Sequence, residues 1–224
     1  LQVIENYNDL VLYSIPKEGT AYDCARSIKD TCGNGAAMVR RLVHFSAPRK
    51  IKLQKTDLNI LIYNLTRTMD RLFGSSITIR FIPDVNIKPI NIDPEQIEDL
   101  LMNLCMNARD AADEDGQIVL HTRNRIFEND SQHPTLSPGH YIMISVQDDG
   151  PGVPPDLQEK IFNPFFTTKT TPKAIGLGLS IVKNIAEQHN GIVELDARTK
   201  QGALFNVYLP VDNKSIPEKE TSGY

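Results

Sequence analysis

The chain has 224 residues, of which 40% are hydrophobic and 23% charged, and this is the profile of a globular protein of one to two domains. The net charge is −4, a mild acidic excess that argues against a nucleic-acid partner, which would require a basic stripe. No apolar run approaches the roughly 18 residues of a membrane span, so no membrane contact by this chain is expected.

Residues that commonly bind transition metals are scattered. The five histidines show neither HxxxH nor HExxH spacing, and Cys24, Cys32 and Cys105 show no CxxC spacing. A histidine-held metal is therefore not expected, and the thiols are interpreted as reduced and buried, which favours a cytoplasmic chain. The chain starts at Leu1 inside an apolar repeat without a secretory leader. It is interpreted as a piece of a longer protein, for which a membrane anchor stays open.

Residues 1–47 have the pattern of two amphipathic helices. Apolar residues recur every three or four positions in two stretches, which Pro16 and Gly19 separate. Two such helices cannot cover both apolar stripes by themselves. The sequence therefore predicts a helical hairpin that forms a four-helix bundle in a homodimer. A hairpin that packs on the rest of its own chain is the alternative.

The pattern changes after a basic stretch, 48–56, which is expected to be a linker. Asp57 and Asp93 are predicted helix caps, and Pro94 and Gln96 complete a capping box with the second of them. The apolar face of the first helix is expected to carry Leu58, Leu61, Leu65, Met69 and Leu72. Helices are predicted at 57–73, 93–112 and 177–189, and strands at 77–81, 117–127, 140–148, 191–197 and 203–210.

This order of elements predicts an α+β domain at 57–211. Strands alternate with helices and an antiparallel hairpin closes the domain, which is typical of a two-layer α/β sandwich with its helices on one face of the sheet. Residues 212–224 are polar and are expected to form a disordered tail or linker.

The first candidate motif is NLCMNARDA, on the helix that starts at Pro94. Asn103 and Asn107 are four residues apart and therefore lie on one helix face. Unpaired amides on an apolar face cost free energy, which favours a functional role, and amide oxygens are hard ligands that suit Mg²⁺. Taken alone, the pair could equally be two solvent-facing or capping asparagines.

The second motif is DDGPGVP, which follows the apolar strand ISVQ. Asp148 ends the strand, and Gly150 and Gly152 follow at DxGxG spacing. A carboxylate there can accept a hydrogen bond from an exocyclic amine, and the glycines permit close backbone approach and positive φ. An ordinary strand-ending turn is the alternative. A Rossmann fingerprint is excluded because no helix opens at the second glycine.

Two further motifs follow in the chain. In IFNPFFTTK, Phe165 and Phe166 precede Lys169, a pattern that fits either a hydrophobic latch below a mobile loop or an ordinary loop anchor. In AIGLGLS, Gly176 and Gly178 open a helix, where free N–H groups can bind phosphate. The GxxxxGK[ST] pattern of a P-loop is absent. Each motif is a weak signal alone, but the four in this order are specific.

Together, NLCMNA, DDGPG, FNPFFTTK and GLGLS resemble the ATP-binding catalytic domain of sensor histidine kinases, which has the Bergerat or GHKL fold. FFTTK and NARDA are usual in the nitrogen-regulator type, and the resemblance covers about 57–211. Upstream, RLVHFSAP and LQVIENY resemble parts of the two dimerization helices. The resemblance implies a kinase that binds Mg²⁺ and ATP and phosphorylates a histidine, for relay to the receiver domain of a response regulator.

The resemblance also implies a role for each motif. Asn107 would ligate Mg²⁺ with Asn103 nearby, both acting in catalysis, while Asp148 would read the adenine amino group and Phe165 and Phe166 would anchor a lid over the ATP. The implied nucleotide-contacting residues are Asn103, Asn107, Asp110, Asp148, Gly150, Gly152, Val153, Phe165, Phe166, Thr168, Lys169, Gly176, Leu177, Gly178 and Leu179.

Three departures from the family pattern matter. Ala174 replaces the first glycine of the usual GxGxG, and Asp110 stands where another branch carries a lysine. The phospho-acceptor histidine is expected a few residues before Leu1, and His44 is not in the acceptor motif. The chain is therefore expected to bind ATP without phosphorylating itself on that histidine.

Two alternatives to a kinase stay open. ATPases of the same fold, such as the relatives of Hsp90, gyrase and MutL, carry a glutamate one helical turn before the Mg²⁺-ligating asparagine. Position 103 is Asn here and cannot act as a base toward water, which favours the kinase. The other alternative is a nucleotide-binding or dimerization module without kinase activity, for which Ala174 is the only indication.

Overall fold

The computed structural model describes residues 2–46, 50–112, 115–128, 133, 135–169, 175–199 and 201–211, without the side chains of 34 and 36–46. The expected tail at 212–224 and positions 48 and 49 of the expected linker lie outside the described residues. The chain divides into two compact units, one of 1–50 with 167–175 and one of 51–166 with 176–224. Each unit is described by itself below.

The first unit contains the predicted helical hairpin, with helices α1 (Gln2–Ser14) and α2 (Thr20–Ser46). Gly19 enters the second helix with a φ of +99°, a left-handed conformation that glycine adopts without strain. The Asn8 side chain is buried and donates to the Ala25 carbonyl at 2.8 Å. Most apolar side chains of α1 are exposed: Val3, Ile4, Tyr7, Leu10, Val11 and Tyr13.

The second unit contains the predicted helices and strands in the predicted order, together with two short strands that were not predicted, Gln54–Thr56 and Ile90–Ile92. Its elements are β1 (Gln54–Thr56), α3 (Leu58–Phe73), β2 (Ile77–Ile82), β3 (Ile90–Ile92), α4 (Pro94–Ala111), β4 (Gly116–Phe127), β5 (Gly139–Asp148), α5 (Gly178–Gln188), β6 (Ile192–Leu195) and β7 (Leu204–Pro210), with a short 3-10 turn at Gly74–Ser76.

The main sheet has the order β2-β4-β5-β7-β6 among the described residues. Strands β2 and β4 are parallel, and the other neighbouring pairs are antiparallel. The apolar side chains of one face join those of α3, α4 and α5 in one continuous core. A mixed sheet covered by helices on one face is the two-layer α/β sandwich, so the predicted fold class is confirmed.

Two helix caps explain where the helices begin. The Asp57 carboxylate accepts from the N–H groups of Asn59 and Ile60, which satisfies two donors at the start of α3. Asp93 does the same for the Gln96 N–H at the start of α4, with Pro94 in the first turn. The reciprocal half of the predicted capping box is wrong: the buried Gln96 amide makes no hydrogen bond with the described residues.

Two other predictions are corrected by the packing. Leu72 was expected in the core but is 64% exposed, and Phe73 is buried in its place, because the apolar stripe of α3 rotates at 3.6 residues per turn. Part of the expected linker is ordered, since β1 pairs with β3 as a small antiparallel sheet. Both strands have three residues, too few for an alternating pattern to be read.

Candidate functional site

Helix α4 presents its two asparagines at the edge of the core. Leu104 and Ala108 on the neighbouring positions are buried, whereas Asn103 and Asn107 are half-buried. The Asn103 amide nitrogen donates to the Asp99 carbonyl at 2.8 Å. The Asn107 amide makes no hydrogen bond with the part of the chain that the structure describes. Asn107 can therefore serve a ligand with both its oxygen and its nitrogen.

The first turn of α5 lies directly against these amides. A Cβ atom on Gly178 would be 3.4 Å from both the Asn103 Oδ1 and the Asn107 Nδ2 atoms. No side chain caps the helix at Leu177, which is buried, so the first N–H groups of α5 have no capping acceptor. Two amides and a helix amino terminus thus converge, an arrangement that favours an anionic ligand.

Asp148 lies at the end of β5 and is only 5% exposed. Its Oδ1 atom accepts from the N–H groups of Gly150 and Ala203, both at 3.0 Å. Burial raises the pKa of Asp148, while the two backbone hydrogen bonds oppose that rise and the charge of Asp149 adds to it. Both bonds end on one carboxylate oxygen, so Oδ2 can accept from a ligand donor.

The two glycines of DxGxG are required by close backbone approach. A Cβ on Gly150 would be 2.6 Å from the Ala111 carbonyl oxygen, so this loop touches the end of α4. Gly152 has a φ of +77° and packs on the Gly202 carbonyl. The following residue, Val153, is half-buried against the core. The DxGxG loop is therefore held between α4 and the segment that enters β7.

Gly202 and Ala203 are site residues that the sequence motifs did not reveal. Gly202 has a φ of +72°, and a Cβ there would collide with the Asp148 backbone. Ala203 also accepts from the Asp148 N–H at 3.0 Å. A glycine before the alternating strand LFNVYLP was the only available signal, and it indicates a turn at many positions that have no function.

The segment around Phe165 is shaped by Gly176. Phe165 has a φ of +67° and is 58% exposed, whereas Phe166 is half-buried and packs on the core. Gly176 has a φ of +73°, and a Cβ there would be 2.5 Å from the Phe165 carbonyl carbon and the Phe166 oxygen. The motifs FNPFF and GLG are therefore in direct contact. Leu179, in the first turn of α5, is half-buried against the core.

The aromatic anchoring differs from the expected pair of phenylalanines. Only Phe166 packs on the core, and Phe162 supports the same segment by an edge-to-face contact with Phe205, with ring centroids 6.2 Å apart. The segment 167–175 groups with the other unit. Within that unit, Thr168 and Lys169 are exposed, and the Lys169 N–H donates to the Thr167 hydroxyl. Ala174 lies outside the described residues.

Asp110 follows Asn107 by three residues on α4 and is exposed. The Arg109 guanidinium donates twice to the Asp110 Oδ1 atom, at 2.6 Å and 3.1 Å. The same guanidinium lies 5.1 Å from the centre of the Phe73 ring, within the range of a cation–π contact. Asp110, an expected site residue, therefore forms an ion pair with Arg109, whose guanidinium also contacts the Phe73 ring.

The structure combines a mixed five-stranded sheet and one helical layer with two amides, those of Asn103 and Asn107, that lie against Gly178 at the start of α5. Residues 92–213 match the family described as histidine kinase-, DNA gyrase B-, and HSP90-like ATPase. The chain belongs to this family.

Curated relatives are sensor kinases. Sensor kinase CckA of Brucella abortus is 34% identical over 205 residues, 91% of this chain and 22% of that protein. Sensor histidine kinase ZraS of Escherichia coli is 31% identical over 93% of this chain and 41% of its own length. The sensory histidine kinase/phosphatase NtrB of Azospirillum brasilense is 31% identical over 83% and 46%. The chain therefore spans less than half the length of these relatives.

Solved structures support the fold. The catalytic domain of histidine kinase ThkA is 30% identical with a TM-score of 0.57, covering 71% of this chain and 96% of that domain. Full-length ShkA in complex with AMPPNP has a TM-score of 0.72 at 22% identity, covering 96% of this chain and 43% of ShkA. ThkA in complex with response regulator protein TrrA has a TM-score of 0.67 at 23% identity, covering 96% and 58%.

None of the described helices is both long and apolar enough to cross a lipid bilayer.

Proposed function

We propose that this chain is the catalytic part of a sensor histidine kinase, which binds Mg²⁺ and ATP and transfers the γ-phosphoryl group to a histidine outside the sequence given. The observation that carries the proposal is the convergence of the Asn103 and Asn107 amides on Gly178 at the start of α5. The sensor kinases among the relatives support the same activity. Phosphoryl transfer needs mainly positioning and charge stabilisation, which amides and backbone N–H groups can supply.

The adenine end of the nucleotide would lie at Asp148. Its buried carboxylate is held by two N–H groups through Oδ1, so Oδ2 would accept from the adenine amino group. A hydrogen bond to a charged acceptor in a buried site is stronger than one between neutral groups. Gly150 and Gly152 keep the neighbouring backbone close to Ala111 and Gly202, and Val153 would add an apolar wall.

The phosphate end would lie between α4 and the start of α5. The N–H groups that follow Leu177 and Gly178 would bind the phosphates. The donor set fits a hard divalent cation, since Asn107 keeps its amide oxygen for a ligand. Bound Mg²⁺, held by Asn107 and the phosphates, would offset the charge that develops on the transferred group.

The composition of α4 favours a kinase over an ATPase. An ATPase of this fold would need a carboxylate one turn before Asn107 to activate water, and Asn103 has none. Asn103 instead donates to the Asp99 carbonyl and directs its oxygen toward Gly178. Its role would be to orient the nucleotide and not to move a proton.

The assignment is tested by nucleotide titration. Isothermal calorimetry of the wild type with Mg²⁺ and ATP should detect binding. Asn107→Ala should abolish this binding without changing the thermal unfolding temperature of the protein. Asn64→Ala, an exposed asparagine on α3, is the matched control and should bind as the wild type does. Equal affinity of Asn107→Ala and the control would refute the site, and no binding by the wild type would leave a signalling module without kinase activity.

Kinase and ATPase are separated by the fate of the phosphate. With radiolabelled ATP, a longer form of the protein that contains the upstream histidine should become labelled on that residue, while this chain should release phosphate very slowly. Rapid phosphate release without protein labelling would favour the ATPase. A parent protein without such a histidine would contradict the self-phosphorylating kinase.

A homodimer through residues 1–47 is part of the proposal. The exposed apolar stripe of α1, including Leu10 and Tyr13, would be covered by a second copy of the hairpin. Sedimentation equilibrium should show a dimer that Leu10→Glu weakens, whereas the Lys17→Glu control should not. A monomeric wild type would contradict the bundle. The response-regulator partner is inferred by analogy with ThkA, whose structure contains TrrA.

A further inference from the structure

Arg109 and Asp110 form an ion pair on α4, the helix that carries the proposed metal ligand Asn107. Asn103, Asn107 and Asp110 are spaced four and three residues apart on α4, so they lie along one face of the helix. The first two border Gly178, and the next residue after Asp110, Ala111, borders Gly150. Asp110 therefore lies on α4 between the two asparagines that contact Gly178 and the residue that contacts Gly150.

The carboxylate of Asp110 places a negative charge beside a site that must receive a triphosphate. Asp110 repels the phosphates, and it attracts a divalent cation held at the Asn107 position. Arg109 offsets part of that charge, because its Nη2 and Nε atoms lie 2.6 Å and 3.1 Å from Asp110 Oδ1. The guanidinium is in turn steadied by the buried Phe73 ring.

We propose that Asp110, moderated by Arg109, makes nucleotide binding by this chain selective for metal-bound over metal-free ATP. The proposal rests on the proposed function, because it requires that the phosphates lie beside α4. Metal-free ATP carries about two more negative charges than its Mg²⁺ complex, so the Asp110 charge penalises the metal-free form more. Arg109 sets how large that penalty is, and the pair acts on binding without touching the transferred group.

The direction of the effect is opposite for the two residues, which makes the test sharp. The quantity to measure is the ratio of the dissociation constant in EDTA to that in Mg²⁺, obtained by displacement of a fluorescent ATP analogue. Asp110→Asn should lower this ratio by roughly fivefold, and Arg109→Gln should raise it by a similar factor, for exposed charges several ångströms from the phosphates. The double variant should keep a ratio close to that of the wild type, since it removes two opposite charges whose effects on the phosphates largely cancel.

Matched controls are available on α3. Asp70→Asn and Arg71→Gln make the same charge changes at exposed positions and should leave the ratio unchanged at moderate salt. A wild type that binds ATP while both site variants keep its ratio would overturn this inference and leave the proposed function standing. So would a change of the same sign in both. A wild type that binds no nucleotide in either buffer would overturn the proposed function and this inference with it.

Discussion

In the proposed site, Asp148 would link the stability of the second unit to its capacity to bind a nucleotide, and substitution can separate the two. Its Oδ1 atom holds the N–H groups of Gly150 and Ala203 at 3.0 Å. Alanine removes both bonds, whereas asparagine keeps an oxygen that can accept them. Asp148→Ala should therefore lose stability and affinity, and Asp148→Asn should lose mainly affinity.

The magnitude follows from the burial of the two donors. The Ala203 N–H is buried, so leaving it unpaired costs about 1–3 kcal/mol. Gly150 is only half-buried, so water can replace much of its bond, at a net cost of about 0.5–1.5 kcal/mol. Asp148→Ala should lower the free energy of unfolding by roughly 1.5–4.5 kcal/mol. Asp148→Asn should change the free energy of unfolding little, because asparagine keeps an oxygen acceptor. It also removes a buried carboxylate whose charged form burial disfavours, which is why burial raises its pKa.

The assay combines urea unfolding, followed by circular dichroism, with calorimetric titration of ATP in Mg²⁺. Asp70→Ala on the exposed side of α3 is the control for loss of a carboxylate. Unfolding of Asp148→Ala at the wild-type urea concentration would refute the reasoning about the two hydrogen bonds. Wild-type affinity in Asp148→Asn would refute the assignment of the carboxylate to the adenine amino group.

Two further predictions concern the backbone and the pH. Gly176→Ala should lower the free energy of unfolding by roughly 1–3 kcal/mol, because Gly176 has a φ of +73° and a Cβ there would be 2.5 Å from the Phe165 carbonyl carbon. The control Gly33→Ala, whose Cβ would meet no atom within 4 Å, should not lower it. Equal thermal unfolding temperatures of the two variants would contradict this prediction. Burial lowers the pKa of His189, so the imidazole is neutral and stability should fall as the pH drops below about 6.5. Urea midpoints across pH check this: a His189→Gln variant with the same acid slope as the wild type would count against it.

The long elements could be predicted because local signals agree with the final packing. Asp57 and Asp93 cap the helices they were expected to cap, and the alternating strands lie where the sequence indicated. Leu72 and Gln96 could not be placed correctly, since a helical stripe does not reveal which end turns to solvent. A capping box likewise needs a side-chain rotamer that the surrounding core decides.

The candidate site was only half visible in the sequence. NLCMNARDA lies on α4, DDGPG begins at the end of β5 and GLGLS leads into α5, as the sequence predicted. Gly202 and Ala203 were missed because they contact Asp148 from far away in the chain, at a separation of 55 positions between Asp148 and Ala203. Outside the site, the contact in which the His189 Nε2 accepts from the Asp93 N–H at 3.0 Å was missed for the same reason. Long-range pairing leaves no local pattern.

The attachment of Asp148 to Ala203 has a consequence for the order in which the domain is completed. The carboxylate that would contact the adenine accepts a hydrogen bond from Ala203, just before β7. β7 is the last of the described strands in chain order. A ribosome-bound chain that has emerged only as far as α5 contains every motif described above but lacks this support. In the proposed site, the nucleotide would therefore bind only after β7 has joined the sheet next to β5.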